Sequence, residues 1–331
     1  MALTAVAVMV CSCGQSKKAG DKNVREARLL YWNIQNGMWS DQPNNYDNFV
    51  EYVKSLDPDI CVWCEASTIY LDGTATPMPM EERYLPAHWD ELAARYGHKY
   101  TFIGAWNDNF PQVITSKYPV ETVKLIPGDE GHVVSHGAGW AKVRLGGKDI
   151  NIVTLHTWPA HYAVNLRDAE FKDKRPESIA RHAGDSTRRE ELKYLCEQTI
   201  LTSGNQDKEY WLMLGDHNSR TRKDNYHYQW PADTSEFWAQ DIILQNTSLI
   251  DVIADSHPGE YQHSHANLER MDLVYASKAM FDCVKEANII REGWPAPVQK
   301  DGYNIPLRDP ACISNFWHPS DHLPILIDFK L

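Results

Sequence analysis

From residue 28 onward, short apolar runs alternate with segments in which apolar residues recur at helical spacing. The runs predict strands at 29–34, 60–63, 100–103, 113–115, 120–126, 140–145, 150–155, 210–214, 271–275 and 323–329. The helical spacing predicts helices at 49–56, 89–96 and 192–200. Gly-Gly at 146–147 is typical of a hairpin, whereas helices separate other strands, so antiparallel and parallel pairing are both expected. The order of elements therefore predicts one α/β domain over 28–331 with mixed sheets.

Two of the predicted helices carry capping signals at their starts. Asn45 or Asp47 is the expected cap of the first helix, and Thr187 with Glu190 matches a capping box for the third. Each would provide a hydrogen-bond acceptor for amides that the first helical turn leaves unpaired.

The first 27 residues differ in character from the rest. Residues 1–10 are almost all apolar and lead into Cys-Ser-Cys-Gly at 11–14 and then a polar stretch. A short apolar core before a small residue and a cysteine resembles a bacterial lipoprotein signal, although no Lys or Arg precedes this core. We expect a signal and polar tether over 1–27, acylation of Cys13, and export to the cell envelope. An N-terminal strand or a misplaced start is the alternative.

Composition limits the partners of the protein. The 331 residues contain 33 Lys plus Arg against 45 Asp plus Glu, for a net charge of -12. That charge disfavours passive adhesion to phosphate backbones but leaves open nucleic acid held at a local metal site. No apolar stretch is long enough to predict a transmembrane helix. The cysteines are too sparse for a disulfide scaffold, and Cys61 and Cys64 are expected to be buried strand residues.

Polar side chains stand where the predicted strands end or begin. They are Asn33, Glu65, His156, Asp216, Asn218, Asp272, Asp321 and His322. A carboxylate in an apolar run is costly unless it is paired or bound to a cation. Amide and carboxylate oxygens suit a hard cation, so Mg2+ is expected, with Mn2+ or Ca2+ as substitutes. If 214–218 stays extended, Asp216 and Asn218 share a face and His217 points away.

These polar residues belong to a series of short motifs. In chain order the series is Tyr-Trp-Asn-Ile-Gln-Asn-Gly (31–37), Pro-Asp-Ile-Cys-Val-Trp-Cys-Glu (58–65), Ile-Thr-Ser-Lys-Tyr-Pro (114–119), Thr-Leu-His (154–156), Leu-Gly-Asp-His-Asn (214–218), Arg-Met-Asp-Leu-Val-Tyr (270–275) and Ser-Asp-His-Leu-Pro-Ile (320–325). The series resembles the endonuclease/exonuclease/phosphatase superfamily, which includes pancreatic-type deoxyribonucleases, apurinic endonucleases, bacterial sphingomyelinases and inositol-polyphosphate phosphatases. The resemblance covers about residues 29–329.

The resemblance implies a fold and a metal site. The fold would be a four-layer α/β sandwich of two packed mixed β-sheets flanked by helices, with the site at one edge. By match to the motifs, Glu65 would be the main metal ligand, with Asn33 and Asp321 close by. Gln35 stands where some branches carry an Asp, which weakens the expectation of a second strongly bound metal ion.

The resemblance also implies catalytic roles. Asp216 and Asn218 would orient the attacking water and the phosphate. His322 would be held by Asp272 and would contact a phosphoryl oxygen or shuttle a proton. His156 would lie over the phosphate. These residue types fit phosphate-ester hydrolysis independently, because the reaction needs an activated water and charge neutralisation on the phosphoryl oxygens.

Other polar groups have weaker claims on the site. Asp108 is a candidate carboxylate partner for His156. The charged insert at 162–185 carries cations that could meet an anionic substrate, but acidic residues balance them. His136, His161 and the aromatic loop at 226–230 could face the site, although each taken alone is more typical of a structural or surface residue.

The function expected from these observations is divalent-metal-dependent hydrolysis of a phosphate ester. A phosphodiesterase acting by direct attack of an activated water is preferred, in a monomer that meets membrane only through its lipid anchor. A nuclease with the same fold is one alternative, which the net charge disfavours. The other is a non-catalytic ligand-binding surface lipoprotein, but a pure binder has no need of Glu65, Asp216 and His322 together. Lipid or polyol phosphodiesters are equally open as substrates.

Overall fold

A computed structural model describes residues 25–69, 78–79, 82–83, 88–106, 110–158, 186–232, 235–265, 268–295 and 319–331. Most of the expected signal and tether, Cys13, Asp108, His161 and the insert at 162–185 lie outside these ranges. The first strand begins at Glu26, so residues 26 and 27, which were expected in the tether, belong to a sheet. The described ranges contain no helix that is both long and apolar enough to cross a membrane.

The described strands form two mixed six-stranded sheets. The first has the order β11-β12-β1-β2-β4-β3, with β1 at Glu26–Asn33, β2 at Ile60–Cys64, β3 at Tyr100–Ile103, β4 at Val113–Ser116, β11 at Val284–Ile289 and β12 at Ile325–Lys330. The second has the order β5-β6-β7-β8-β10-β9, with β5 at Val120–Asp129, β6 at His132–Leu145, β7 at Lys148–His156, β8 at Tyr210–Asp216, β9 at Ile250–Asp251 and β10 at Asp272–Ala276.

Each sheet is built around a central parallel pair with antiparallel neighbours. β1 and β2 are parallel in the first sheet, and β7 and β8 are parallel in the second. β12 runs antiparallel to β1, and β10 runs antiparallel to β8. Parallel strands end on the side of the sheet where their antiparallel neighbours begin. On that side the first sheet carries the residues after β1 and β2 and before β12. The second sheet carries there the residues after β7 and β8 and before β10.

Helices cover the outer faces of the two sheets. Against the first sheet pack the helices Asp47–Leu56 and Trp89–Arg95, and against the second pack Ser186–Gln198 and Trp238–Asn246. Shorter helices lie at Gln35–Met38, Asn225–Tyr228, Val252–Ser256 and Lys278–Phe281. This is the four-layer arrangement of helices, two mixed sheets and helices that the resemblance implied.

Alternation of side chains along the strands builds the three apolar layers. In β1, Leu29 and Tyr31 point into the core between the sheets, whereas Leu30 and Trp32 pack under the helices of the first sheet. All of these side chains are buried, and burying a side chain of this size stabilises the fold by roughly 1.5–3 kcal/mol. Both faces of the central strands are therefore apolar, which explains why they appear in the sequence as unbroken apolar runs.

Several local expectations are corrected. Tyr46 rather than Asn45 or Asp47 occupies the N-cap of the helix Asp47–Leu56, and it makes no side-chain cap. Asp41 accepts the Phe49 amide at 2.8 Å instead. Thr187 lies inside the helix Ser186–Gln198, so the predicted capping box is wrong.

The strand bounds also change in places. β6 begins at His132 rather than at residue 140, and β9 and β11 were not predicted. Cys61 and Cys64 are buried, free thiols in β2, as expected.

Candidate functional site

The predicted site residues of the second sheet lie side by side at the edge where its parallel strands end. His156 at the end of β7 pairs in register with Asp216 at the end of β8. Asp216 in turn pairs with Asp272 at the start of β10. Residues paired in register lie on the same face of a sheet. Leu212, Leu214 and Asp216 occupy alternate positions of β8 and therefore share a face. Since Leu212 and Leu214 pack in the core between the sheets, this face points at the first sheet. The three side chains therefore project into the gap between the sheets.

Asn33 and Glu65 come to the same gap from the first sheet by different routes. Asn33 ends β1 two residues after the inward-facing Tyr31, so the alternation of side chains along the strand directs it between the sheets. Glu65 follows the inward-facing Cys64 and would point outward in an extended chain. Its φ of 53° turns the backbone instead. The Asn36 amide then donates to Glu65 Oε2 at 2.9 Å and fixes the carboxylate.

Asn33 connects the two sheets at the site. Its Nδ2 donates to Glu65 Oε1 and to Asp216 Oδ2, each at 3.2 Å, while its Oδ1 accepts the Gln35 amide at 3.0 Å. Asn33 is fully buried, so these bonds hold both carboxylates at fixed positions. Its role as a metal ligand stays a prediction, since in this arrangement the amide nitrogen faces the carboxylates.

His322 is held from both sides. Its Nδ1 donates to Asp272 Oδ2 at 2.7 Å, and its backbone carbonyl accepts the Trp32 indole N–H at 2.9 Å. The Ser320 hydroxyl accepts the His322 amide at 3.1 Å. The remaining ring nitrogen, Nε2, lies 3.7 Å from Asp216 Oδ2 and 4.0 Å from Asp321 Oδ1. Asp272 thus fixes the ring and aims Nε2 at the acidic cluster.

Asp216 and Asn218 interact directly, but not through an extended chain. Asn218 has a φ of 45°, and its amide donates to Asp216 Oδ1 at 2.9 Å. The Asn218 side-chain Nδ2 donates to the Thr157 carbonyl at 3.1 Å, and the Arg188 guanidinium donates to the Asn218 backbone carbonyl. The chain does not stay extended over 214–218, so the condition under which Asp216 and Asn218 would share a strand face is not met. The turn places the Asn218 side chain beside the end of β7.

His156 covers the cluster from the second sheet. Its Nε2 lies 3.6 Å from Asp216 Oδ2, and its ring stacks on His136 with centroids 4.2 Å apart. His136 is buried in that stack, so it does lie next to the site. His156 Nδ1 has no hydrogen-bond partner among the described residues. Its expected partner, Asp108, lies outside the described ranges.

Burial and mutual charge shift the acid–base behaviour of the cluster. Burial, with the charge of Asp321, raises the pKa of Glu65 to about 7. Burial raises the pKa of Asp216 to about 6, although His322 opposes the rise. Burial alone would lower the pKa of His322, but Asp272 and Asp216 outweigh it and raise that pKa to about 10. Burial, with repulsion from His136 and His322, holds the pKa of His156 well below its usual range.

The donor set fits a divalent cation. Ligand atoms of Glu65, Asp216 and His322 lie within 4.8 Å of one another. Burial is the main cause of the raised pKa values of the two carboxyl groups, and repulsion from Asp321 at Glu65 and from Asp272 at Asp216 adds to it. A cation among these oxygens would relieve that repulsion, and hard oxygen ligands are those preferred by Mg2+.

The eight polar residues predicted at the strand ends are thus brought into one network. Sequence reasoning missed Tyr31, whose hydroxyl donates to Asp272 Oδ1 at 2.6 Å, and His265, whose Nε2 lies 3.6 Å from Asp321 Oδ2. Tyr31 lies two residues before Asn33 in β1 and so on the same face of the strand, a pattern that could have predicted its position at the site. For His265, no strand pattern or motif in the sequence points to the site. The loop at 226–230 forms its own aromatic stack, in which His227 lies on Tyr261 with centroids 3.7 Å apart.

The sequence matches no protein-family model and no curated protein. Solved structures do share its architecture. An AP endonuclease from Archaeoglobus fulgidus matches with a TM-score of 0.55 at 16% identity, over 92% of this chain and 99% of its own. An endonuclease/exonuclease/phosphatase from Beutenbergia cavernae DSM 12333 matches with a TM-score of 0.53 at 17% identity, over 93% of this chain and 72% of its own. The chain has the endonuclease/exonuclease/phosphatase fold.

A 3'-5' exonuclease from Neisseria meningitidis shows the same fold, with a TM-score of 0.52 at 16% identity over 91% of this chain and 99% of its own. The endonuclease/exonuclease/phosphatase resemblance drawn from the motifs is thereby confirmed at the level of the fold. At such low identity the match establishes architecture, and the chemistry of this chain has to be argued from its own side chains.

Proposed function

We propose that this protein is a divalent-metal-dependent phosphoesterase, with phosphodiesters as its preferred substrates. The observation that carries the proposal is the convergence of Glu65, Asp216 and a His322 already oriented by Asp272 on one small volume between the sheets. Buried carboxylates facing an oriented histidine are costly for stability, which favours a catalytic over a purely structural role.

Each group has a role that its contacts support. A divalent ion held by Glu65 and its neighbours would neutralise charge on the phosphoryl oxygens and on the leaving group. Asp216 is positioned to accept a proton from an attacking water, because Asn33 and the Asn218 amide fix its two oxygens. Asp216 with its raised pKa is a stronger base than an ordinary aspartate.

The two histidines would act on the phosphoryl group in different protonation states. His322 has a pKa raised to about 10, so it carries a positive charge at neutral pH and would donate from Nε2 to a phosphoryl oxygen. His156 has a depressed pKa and stays neutral, so it would contribute a hydrogen bond without adding charge. A charged and a neutral donor, each within 4 Å of Asp216 Oδ2, would together orient the phosphate.

The substrate choice rests on charge and on the fold relatives. Those relatives are described as an AP endonuclease and a 3'-5' exonuclease, which favours nucleic acid as a second candidate substrate. Against that, the net charge of -12 disfavours binding to a polyanionic backbone. We therefore propose a compact phosphodiester, such as a lipid or polyol phosphodiester, before a polynucleotide.

The test is hydrolysis of bis(p-nitrophenyl) phosphate with Mg2+ and with excess EDTA, followed by nucleic acid, phospholipid and sugar-phosphate substrates. Asp216→Asn and His322→Ala are expected to lower turnover by roughly 10²–10⁴-fold. Asp149→Asn and His132→Ala change surface residues of the same types outside the site and should leave turnover unchanged. A folded protein that hydrolyses no phosphoester would instead favour a ligand-binding lipoprotein.

The location of the protein is a separate proposal. The apolar start and the Cys-Ser-Cys-Gly at 11–14 support export, acylation at Cys13 and anchoring in the cell envelope. Palmitate labelling of the full chain, lost in Cys13→Ser and retained in Cys11→Ser, tests the anchor. Light scattering of the α/β domain, without the expected signal and tether, tests whether it is a monomer.

A further inference from the structure

A second group of metal-ligand types lies next to the acidic cluster. His265 Nε2, an oxygen of Asp321 and a ring nitrogen of His322 lie within 4.8 Å of one another. His265 Nε2 is 3.6 Å from Asp321 Oδ2, and His322 Nε2 is 4.0 Å from Asp321 Oδ1. Ligand atoms of a tetrahedral zinc site are separated by roughly 3.3 Å, so small side-chain rotations would close this group around an ion.

The backbone holds these residues in place. His265 and His322 form an isolated antiparallel bridge, and the Leu323 amide donates to the Ser264 carbonyl at 2.7 Å. The two imidazole rings meet edge to face, with centroids 4.5 Å apart. The group is therefore pre-organised by main-chain pairing and does not depend on long flexible side chains.

Asp272 gives His322 the arrangement typical of a metal ligand. The Nδ1–H of His322 donates to the Asp272 carboxylate at 2.7 Å, which leaves Nε2 directed at the cluster. Histidine ligands in proteins characteristically donate their other ring N–H to a carboxylate in this way.

The ligand types separate this group from the oxygen-rich set around Glu65. Two imidazoles and one carboxylate suit Zn2+ and related transition metals, whereas Mg2+ prefers oxygen ligands. The two groups share His322 and also Asp321, which the motifs place beside Glu65 at the first metal. His322 Nε2 can bind a metal or contact a phosphoryl oxygen but not both. Occupation of the second group would thus withdraw His322 from the proposed reaction.

We infer that His265, Asp321 and His322 form a second metal site that takes Zn2+ or a similar transition-metal ion, and that its occupation inhibits hydrolysis. The inhibitory part rests on the proposed function, whereas the metal site itself does not. Zn2+ would act as a regulator that competes with the substrate phosphate for one histidine.

The experiment measures Zn2+ binding by competition with a chromophoric chelator, and Co2+ binding by visible absorption, in the full chain and its variants. His265→Ala is expected to weaken Zn2+ binding by about tenfold or more and to weaken the visible d–d absorption of bound Co2+, whose intensity reports the number and geometry of its ligands. His257→Ala is the matched control, because His257 forms a similar pair with Glu260 outside the site and should bind Zn2+ as the unmodified protein does.

Activity separates the two parts of the inference. Zn2+ should inhibit Mg2+-supported hydrolysis of the unmodified protein, and His265→Ala should need about tenfold more Zn2+ for half-inhibition, measured relative to its own zinc-free turnover. Equal Zn2+ affinity in His265→Ala and the unmodified protein would overturn the site. Weaker binding with unchanged inhibition would overturn the regulatory role. Weaker binding in a protein that hydrolyses no phosphoester would overturn the proposed function and leave the metal site standing.

Discussion

Tyr31 donates its hydroxyl proton to Asp272 Oδ1 at 2.6 Å, across the interface of the two sheets. Tyr31 belongs to β1 of the first sheet and Asp272 to β10 of the second, and both side chains are fully buried. The other oxygen of the same carboxylate accepts from His322. The core between the sheets and the proposed catalytic histidine are therefore joined by one buried hydrogen-bonded chain.

Tyr31→Phe is expected to lower the free energy of unfolding by about 1–3 kcal/mol, because it leaves a buried carboxylate oxygen without its donor. Turnover should fall less than in His322→Ala, since Asp272 still accepts from His322. Chemical denaturation with urea measures the first effect and a chromogenic phosphodiester the second.

Tyr52→Phe provides the comparison for that measurement. The Tyr52 hydroxyl is also largely buried, but it contacts the Glu292 carbonyl at 3.4 Å, away from the site. It should change turnover little. If Tyr31→Phe and Tyr52→Phe had the same effect on turnover, the link from Tyr31 to the site would have no functional weight.

The His322–Asp272 pair predicts a specific dependence of stability on pH. Burial would lower the pKa of His322 from 6.5, but Asp272 and Asp216 raise it to about 10 in the folded protein. The folded state therefore binds one more proton than the unfolded state between these values. The resulting stability is fully present below pH 6.5 and is lost as the pH rises towards 10, by up to about 1.4 kcal/mol per pH unit.

Urea unfolding in EDTA at several pH values between 6.5 and 10 tests this slope. His322→Gln removes the titrating ring, so its stability should fall less steeply than that of the unmodified protein over the same interval. Parallel curves for the two proteins would contradict a raised pKa at His322.

Much of the site was predictable because alternation within a short strand is a local property. Asn33, His156 and Asp216 each end a buried strand. The apolar residues at alternate positions before them pack between the sheets, so all three side chains point into the same gap. Glu65 reaches that gap only because its own φ is positive, which alternation along β2 does not predict. His265 arrives through a backbone bridge to His322, a long-range pairing that leaves no local trace in the sequence.

The unpredicted strands have a similar physical explanation. Among the described strands, β11 pairs only with β12, at the edge of the first sheet, and most of its side chains are partly or fully exposed. Its sequence therefore lacks the apolar run on which the strand predictions depended. β6 is longer than predicted because it continues beyond the second sheet's apolar centre towards the turn that precedes His132.

Metal affinity is expected to fall as the solution becomes more acidic. Burial raises the pKa of Glu65 to about 7 and that of Asp216 to about 6 in the metal-free protein, so protons compete with the cation at these carboxylates. A ligand with a pKa near 7 weakens apparent Mg2+ affinity about tenfold between pH 8 and pH 6. Calorimetric titration with Mg2+ at both pH values measures the change directly.

Glu65→Gln separates the metal site from other pH effects. The side-chain amide of this variant carries no negative charge and does not titrate, so the variant should bind Mg2+ more weakly and with a smaller dependence on pH. Identical Mg2+ affinity of the unmodified protein at pH 6 and pH 8 would show that Glu65 is not a ligand.

The close approach of β7 and β8 at Gly215 leads to the last prediction. A Cβ added to Gly215 would lie 1.9 Å from the Leu155 carbonyl oxygen, a main-chain atom that cannot rotate away. Gly215→Ala should therefore force the two strands apart next to His156 and Asp216, at a cost of roughly 3 kcal/mol or more. Gly204→Ala is the control, because a Cβ there meets nothing within 4 Å.

Thermal unfolding and phosphodiester turnover of these two alanine variants are the measurements. Gly204→Ala should change the free energy of unfolding by about 0.5 kcal/mol or less and keep full turnover. Gly215→Ala should lose both stability and turnover, and Mg2+ at saturating concentration should not restore the turnover, since the displaced carboxylate of Asp216 no longer faces Asn33. Equal stability of the two variants would mean that the strands tolerate a wider spacing and that the position of Asp216 is not set by the β7–β8 contact.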